Sequence, residues 1–184
     1  MRRTHEGRVA LWAALSIGLV MALFVAVLAT RDSAQDKLAA SPLLGKPAPE
    51  LAGTSIDGRD VRLSALGGHW VLVNFFATWC TPCLREHPEL VTFTQRHRAR
   101  GDASVVAVIW DDDADAVRRF FERQGGDWPV IPDNGGRVAL DFGVRGPPES
   151  FLIDPRGFVV SHIVGEVTAD GLDQLLRRAE AQGA

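Results

Sequence analysis

Cysteine is scarce in this chain, which has two cysteines, Cys80 and Cys83, among its 184 residues. A zinc site would need a second CxxC pair or a nearby pair of histidines, and the sequence has neither. Residue 84 is leucine, so the CxxCH pattern of covalent haem attachment is absent. No cysteine lies directly after the apolar N-terminal stretch, which excludes a lipoprotein anchor. We therefore expect no resident metal and no cofactor.

The chain also lacks an excess of positive charge. Its formal net charge is -3, and because residues 1–32 carry +2, the remainder carries -5. Nucleic-acid binding requires clusters of lysine and arginine that neutralise phosphates, so this class of function is excluded. A hydrophobic fraction of 46% is enough for one compact domain with an appendage.

Residues 9–30 form an apolar run of 22 residues without a charge. As a helix it would be about 33 Å long, which is enough to cross a bilayer. Arg2, Arg3 and Arg8 precede it and predict a cytoplasmic N-terminus. We expect residues 1–8 in the cytoplasm, a transmembrane signal-anchor at 9–30, a linker at 31–46 and a domain at 47–184 outside the membrane. A cleaved signal peptide is the alternative, although its apolar region is usually only about 7 to 15 residues long.

The two cysteines lie between a predicted strand and a predicted helix. Trp70–Phe76 is an almost unbroken apolar run typical of a buried strand. Leu84, Pro88 and Val91 recur at helical spacing, which predicts a helix from about Pro82 to Arg98. The order strand, CxxC, helix is typical of a thioredoxin-like redox motif.

This placement predicts different roles for the two thiols. Cys80 precedes the helix, whose N-terminal partial charge favours a thiolate, so we expect an exposed nucleophile there. Cys83 would be a shielded resolving thiol. One alternative is a structural disulfide, although so short a loop stabilises the fold least. A second is a copper or zinc carrier that uses Cys80, Cys83 and His87.

The rest of the sequence predicts an α/β domain. The expected elements are an N-terminal β-hairpin between about residues 51 and 63, strands at 104–110 and 130–131, a helix at 113–124, a helical turn within 135–142, a hairpin of 150–154 with 158–164, and a last helix at 168–181. The succession of strand, helix and strand implies a right-handed parallel crossover.

Two separated segments, Asn74–Pro88 and Gly143–Asp154, resemble one known family. They are similar to the membrane-tethered thioredoxin-like proteins of cytochrome c maturation, the DsbE/CcmG and ResA group. The resemblance runs from about Leu43 to the C-terminus. It implies a thioredoxin-like mixed sheet flanked by helices, opened by the N-terminal hairpin.

The resemblance also implies roles for residues around the cysteines. Glu86 would tune the thiols and accept the proton of Cys83, which a carboxylate with a raised pKa does well. Its alternative is an ordinary solvated glutamate. Asn74 stands where thioredoxins carry a buried aspartate, so proton handling falls to Glu86 or Glu149. Pro148 matches the cis-proline that faces the disulfide, and an ordinary loop is its alternative.

Five further residues are expected to shape substrate binding. Thr81 and Pro82 lie between the sulfurs and would help to set the reduction potential. Pro147 precedes the expected cis-proline and has no N–H with which to pair a substrate backbone. Selectivity would therefore depend on side chains such as Trp79 and Glu149.

The expected function is that of a thiol:disulfide oxidoreductase on the outer side of the cytoplasmic membrane. The resemblance implies that it reduces the haem-binding cysteines of apocytochrome c, or another exported disulfide-bearing protein. A thiol-type electron donor in the membrane would reduce it again. An oxidase that inserts disulfides into exported proteins is the alternative within the class, because the sequence does not fix the direction of electron flow.

Overall fold

A computed structural model of the chain describes residues 12, 16–24 and 41–183. Residues 16–24 are helical. Within the described parts, no helix combines the length and the apolar character that a membrane crossing requires. The expected cytoplasmic segment 1–8 lies outside the described residues, and the expected anchor 9–30 and linker 31–46 lie partly outside them.

Five strands form the central sheet, in the spatial order β5-β4-β3-β6-β7. They are β3 (Trp70–Phe76), β4 (Ala103–Ile109), β5 (Val130–Pro132), β6 (Glu149–Ile153) and β7 (Val159–Val164). The pairs β3–β4 and β4–β5 are parallel, whereas β3–β6 and β6–β7 are antiparallel. All seven residues of β3 are buried, which confirms the predicted central strand.

Four helices flank this sheet. They are α1 (Thr81–Arg98), α2 (Ala114–Gln124), α3 (Arg137–Phe142) and α4 (Ala169–Ala181). Side chains cap the N-termini of two helices. Asp113 accepts a hydrogen bond from the Ala116 N–H at the start of α2, and Thr168 accepts one from the Gly171 N–H at the start of α4. Each helix lies where the sequence predicts one.

Alternate residues of β3 face two separate apolar clusters, as the two-residue period of a strand requires. Leu72 and Phe76 pack with residues of α1, α2 and α4, whereas Val73 and Phe75 pack with α3 on the other side. Helices therefore cover both faces, as predicted.

The predicted N-terminal hairpin is present as β1 (Ala52–Thr54) and β2 (Asp60–Arg62), an antiparallel pair that forms its own small sheet. Ordered structure begins before this hairpin. The Gly45 N–H donates to the Val159 carbonyl, and the Val159 N–H donates to the Lys46 carbonyl. These contacts bind the end of the expected linker to β7, so the domain starts earlier than residue 47.

Candidate active site

Cys80 and Cys83 form a disulfide, with an Sγ–Sγ distance of 2.08 Å, at the N-terminus of α1. Cys80 is the N-cap residue, and its Sγ accepts a hydrogen bond from the Cys83 N–H at 3.2 Å. No acidic residue lies in the first turn of the helix, and Pro82 occupies that turn. In the reduced protein the same amide and the helix N-terminus would stabilise a Cys80 thiolate.

The expected exposure of Cys80 is wrong for the disulfide form. Cys80 is 4% exposed and Cys83 is fully buried, because both pack into the apolar cluster beneath α1. Cys80 is flanked by the exposed Trp79 and Thr81, and Pro82 is half-buried. The disulfide therefore lies just below a surface that these neighbours form.

The loop before Cys80 is held by the acidic segment that follows β4. The Trp79 indole is 57% exposed, yet its Nε1 donates to the Asp111 carbonyl at 3.0 Å. The Thr78 N–H and hydroxyl both donate to Oδ2 of Asp112 at 2.6 Å. Sequence reasoning missed Asp112. The signal was available, because β3 and β4 are parallel neighbours and the segments that follow them meet at one edge of the sheet.

Pro148 forms a cis peptide bond with Pro147, as the resemblance implies. It directly precedes Glu149, which pairs with Phe75 near the end of β3. Its carbonyl accepts a hydrogen bond from the Gly165 N–H at 2.8 Å. This register places the half-buried Pro147 and the buried Pro148 at the edge of the sheet from which the CxxC segment leaves.

The structure places Glu149 beneath the surface that a substrate would contact. It is buried, and Oε1 accepts hydrogen bonds from the N–H groups of Arg145 and Gly146. Oε2 lies 2.7 Å from Nε2 of His162, whose ring stacks on Phe151. Both oxygens are therefore used within the chain, where they hold the loop that leads to the cis-proline.

Glu86 is 1% exposed, so the alternative of a solvated glutamate is wrong. It lies one helical turn after Cys83, on the same side of α1. Its Oε1 accepts a hydrogen bond from Nδ2 of Asn74 at 2.8 Å, and its Oε2 accepts one from the Val167 N–H at 3.0 Å. Asn74 also donates to the hydroxyl of Ser150 at 3.0 Å. Sequence reasoning did not single out Ser150.

The geometry of His87 argues against the metal-carrier alternative. The ring is buried against Phe120, Phe121 and Trp128, and Nε2 donates to the Gly125 carbonyl at 2.9 Å. Burial lowers the pKa of His87, an effect that the hydrogen bond to Gly125 only partly opposes. Among the residues that the structure describes, no group of three histidine, cysteine, aspartate or glutamate side chains is placed to hold a metal.

Several known proteins are similar to this chain in sequence. The Redoxin family model matches residues 43–176. The thiol-disulfide oxidoreductase ResA of Bacillus thuringiensis (strain Al Hakam) is 35% identical over 135 residues, which cover 73% of this chain and 78% of the relative. The thiol:disulfide interchange protein HelX of Rhodobacter capsulatus is 33% identical over 138 residues, covering 66% of this chain and 76% of the relative.

A solved structure is also similar to this chain in fold and sequence. The crystal structure of a putative thiol:disulfide interchange protein DsbE from Chlorobium tepidum matches with a TM-score of 0.67 and 33% identity, covering 74% of this chain and 96% of that one. The mixed sheet, the CxxC pair at the start of α1 and these matches lead to one assignment. The chain belongs to the Redoxin family and is a thiol-disulfide oxidoreductase with a thioredoxin-like fold.

Proposed function

We propose that this protein is a reductant that acts outside the cytoplasmic membrane on the haem-binding cysteine pair of apocytochrome c, or on another exported protein with a disulfide. One observation carries the exchange chemistry. The Cys80–Cys83 disulfide sits at the N-cap of α1, where the Cys83 N–H donates to the Cys80 sulfur. The resemblance to the cytochrome c maturation group supports the substrate class and the direction of electron flow.

The reaction proceeds in two exchange steps. The Cys80 thiolate of the reduced protein attacks one sulfur of the substrate disulfide, forms a mixed disulfide and displaces the other substrate sulfur as a thiolate. Cys83 then loses its proton and attacks the Cys80 sulfur. This step forms the Cys80–Cys83 disulfide and releases the second substrate thiolate, which takes up a proton. Two electrons pass from the protein to the substrate, and a thiol-type donor in the membrane restores the reduced pair.

Glu86 accepts the proton of Cys83 in this scheme. Glu86 follows Cys83 by one helical turn on the same side of α1, and it is the acidic side chain nearest to that thiol along the helix. Glu86 is buried among the residues beneath α1, where a proton released to bulk water would have no direct path. Glu149, the other candidate, lies on β6 and not on the helix that carries Cys83.

The proposed location rests on the sequence of the N-terminal segment. Residues 9–30 contain no charge and follow Arg2, Arg3 and Arg8, which favours an anchor with the catalytic domain on the outer side. On that side the substrate, an exported protein, carries the disulfides that a reductant must open.

The test uses the full chain in its reduced form and a peptide that carries an oxidised CxxCH pair. The wild-type protein should reduce the peptide, as measured by the appearance of peptide thiols. Cys80→Ser should abolish the reaction, and Cys83→Ser should accumulate a mixed disulfide on Cys80 that mass spectrometry detects. Equal turnover by wild type and Cys80→Ser, or a metal bound stoichiometrically after purification in reducing buffer, would contradict the proposal.

A further inference from the structure

We propose that Asn74 and Ser150 are positioning residues that keep Glu86 hydrogen-bonded in both of its protonation states, so that it can gain and lose a proton inside the domain. The inference rests on the proposed role of Glu86 as the proton acceptor of Cys83. It assigns a function to a buried polar pair on a mostly apolar face of the sheet.

The register of the sheet brings the two residues together. Asn74 lies in the middle of β3, and its Cα is paired with that of Ser150 on β6. Paired residues of an antiparallel sheet project from the same face. Both side chains are buried, and buried polar groups are retained in proteins when they are hydrogen-bonded.

The hydrogen bonds around Asn74 match an ionised Glu86. The amide group of Asn74 has two N–H donors, and its Nδ2 contacts Glu86 Oε1 and Ser150 Oγ. The second oxygen of Glu86 accepts the Val167 N–H. Each carboxylate oxygen thus faces an N–H donor, which favours the charged form of Glu86. A proton on Oε1 would instead point at the N–H groups of Asn74.

A half-turn of the Asn74 amide resolves that conflict. It places Oδ1 where Nδ2 stood, and this oxygen can accept hydrogen bonds from a protonated Glu86 and from the Ser150 hydroxyl. The hydroxyl rotates and serves equally well as acceptor or donor. Asn74 and Ser150 can therefore hydrogen-bond the carboxyl group of Glu86 in both of its protonation states. An aspartate at position 74 would place a second negative charge beside Glu86, and a leucine would serve neither state.

Few other charges face Glu86 from the elements packed around it. On that face of the sheet the neighbouring side chains carry no charge. They are Trp70, Leu72, Phe76, Val105, Ala107, Ile109, Leu152 and Ile163, with the hydroxyl of Ser161 beside Leu152. On α1 the titratable residues nearest to Glu86 on the same side are Cys83 and Glu89, and Glu89 accepts the Ala169 N–H. The adjacent Arg85 and His87 contact Glu166 and the Gly125 carbonyl. Beside Val167, Glu166 pairs with Arg85, and both are more than a third exposed. The hydrogen bonds described for Glu86 thus come from the Asn74 amide, which also contacts Ser150, and from the Val167 amide.

The experiment measures the resolving step as a function of pH. The mixed disulfide between Cys80 and a CxxCH peptide is formed, and the rate of peptide release is followed from pH 5 to 9. Asn74→Leu should slow release at pH 7 by about tenfold and move the midpoint of the profile upward by about one pH unit, as expected for losing one hydrogen bond to a charged group. Ser150→Ala should slow release by about threefold and move the midpoint in the same direction. This variant carries the test if Asn74→Leu does not fold.

Two controls separate positioning from a general loss of structure. In a Glu86→Gln background, Asn74→Leu should cause no further shift of the profile, because the group that it positions is absent. Ser55→Ala removes a buried hydroxyl that accepts the Val130 N–H outside this network, and its profile should match the wild type.

The outcomes distinguish the inference from the proposed function. Wild-type profiles in both Asn74→Leu and Ser150→Ala would overturn the inference while the exchange function stands. An unchanged profile in Glu86→Gln would overturn it as well. Peptide reduction that does not depend on Cys80 would instead overturn the proposed function.

Discussion

Thr78 and Trp79 are fixed from one side, by the segment that follows β4. A single carboxylate oxygen of Asp112 accepts two hydrogen bonds from Thr78, and the Asp111 carbonyl accepts the Trp79 indole. The exposed indole beside Cys80 is therefore held in place before a substrate arrives. A preordered side chain loses less entropy on binding than a mobile one.

The contacts of Thr78 with Asp112 and of Trp79 with Asp111 are called the Thr78 clamp below, and Asp112→Asn tests it. The change removes the negative charge that strengthens both hydrogen bonds from Thr78, so the free energy of unfolding should fall by about 1 to 3 kcal/mol. Urea unfolding measures the loss. Asp141→Asn is the matched control, because Asp141 is exposed and its ion pair with Arg137 is 3.8 Å long, and it should stay within about 0.5 kcal/mol of wild type. Equal unfolding curves for both variants would count against the clamp.

Pro147→Ala tests the missing donor beside Pro148. Alanine restores a backbone N–H, so a substrate segment should gain about one hydrogen bond, which corresponds to a roughly two- to twelvefold higher affinity. Affinity for an extended peptide is measured in the Cys83→Ser background, which traps the mixed disulfide, and Cys83→Ser alone is the control. No gain over the control would show that Pro147 does not limit backbone pairing.

The disulfide between Cys80 and Cys83 and the cis peptide bond at Pro148 lie where local sequence patterns place them. The burial of Glu149 was not predicted, because it depends on the pairing of β6 with β7, which brings His162 to its carboxylate. Partners thirteen residues apart on two strands cannot be paired without knowing the register.

At the scale of elements, the end of α1 opposite the disulfide is joined to β4 and α4 by a charged cluster. The ring nitrogens of His97 lie 2.6 Å from Asp102 and 2.9 Å from Asp173. Arg96 contacts both Asp173 and Asp170. Burial alone would raise the pKa of Asp173, but hydrogen bonds from His97 and Arg96, with their charges, outweigh it and hold the pKa below its usual range.

The lowered pKa of Asp173 fixes the sign of its effect on stability. A carboxyl group whose pKa is lower in the folded state stabilises the fold above its ordinary pKa of about 3.9. This contribution disappears as the pH falls through the folded pKa. Asp173→Asn should therefore unfold more easily than wild type at pH 7, by about 1 to 3 kcal/mol, and the difference should shrink below about pH 4.

Chemical unfolding at several pH values checks this prediction. Asp170→Asn is the matched control, because Asp170 pairs with the same Arg96 but is 79% exposed, and its effect should stay below about 1 kcal/mol. A difference between Asp173→Asn and wild type that does not change between pH 7 and pH 3 would contradict the assignment.

The elements themselves were largely predictable, because hydrophobic periodicity identifies long helices and buried strands. The short helix α3 has only six residues, too few for hydrophobic periodicity to predict its ends. A helical turn was predicted somewhere within residues 135–142, and the structure confines it to Arg137–Phe142. Gly136 and Gly143 bound it, with φ values of 69° and 70°, a left-handed conformation that glycine adopts readily.

At the scale of the whole molecule, the domain places its redox pair, Pro148 and the Thr78 clamp at one edge of a mixed sheet. Sequence order predicted the position of the redox pair, between a strand and a helix, and the family resemblance predicted that of Pro148. The contacts of Thr78 with Asp112 were not predicted. The polar network beneath this edge could not be predicted. It joins Asn74, Glu86, Ser150 and Val167, four residues spread over 94 positions of the chain, through tertiary contacts.

The reduction potential of the Cys80–Cys83 pair tests the central claim most directly. It is measured by equilibrating the purified domain with dithiothreitol or glutathione buffers and counting free thiols. A reductant of exported proteins should have a strongly negative potential, nearer the value of about -270 mV for thioredoxin than that of about -120 mV for DsbA. A potential near the latter would reverse the direction of electron flow and make the protein an oxidant.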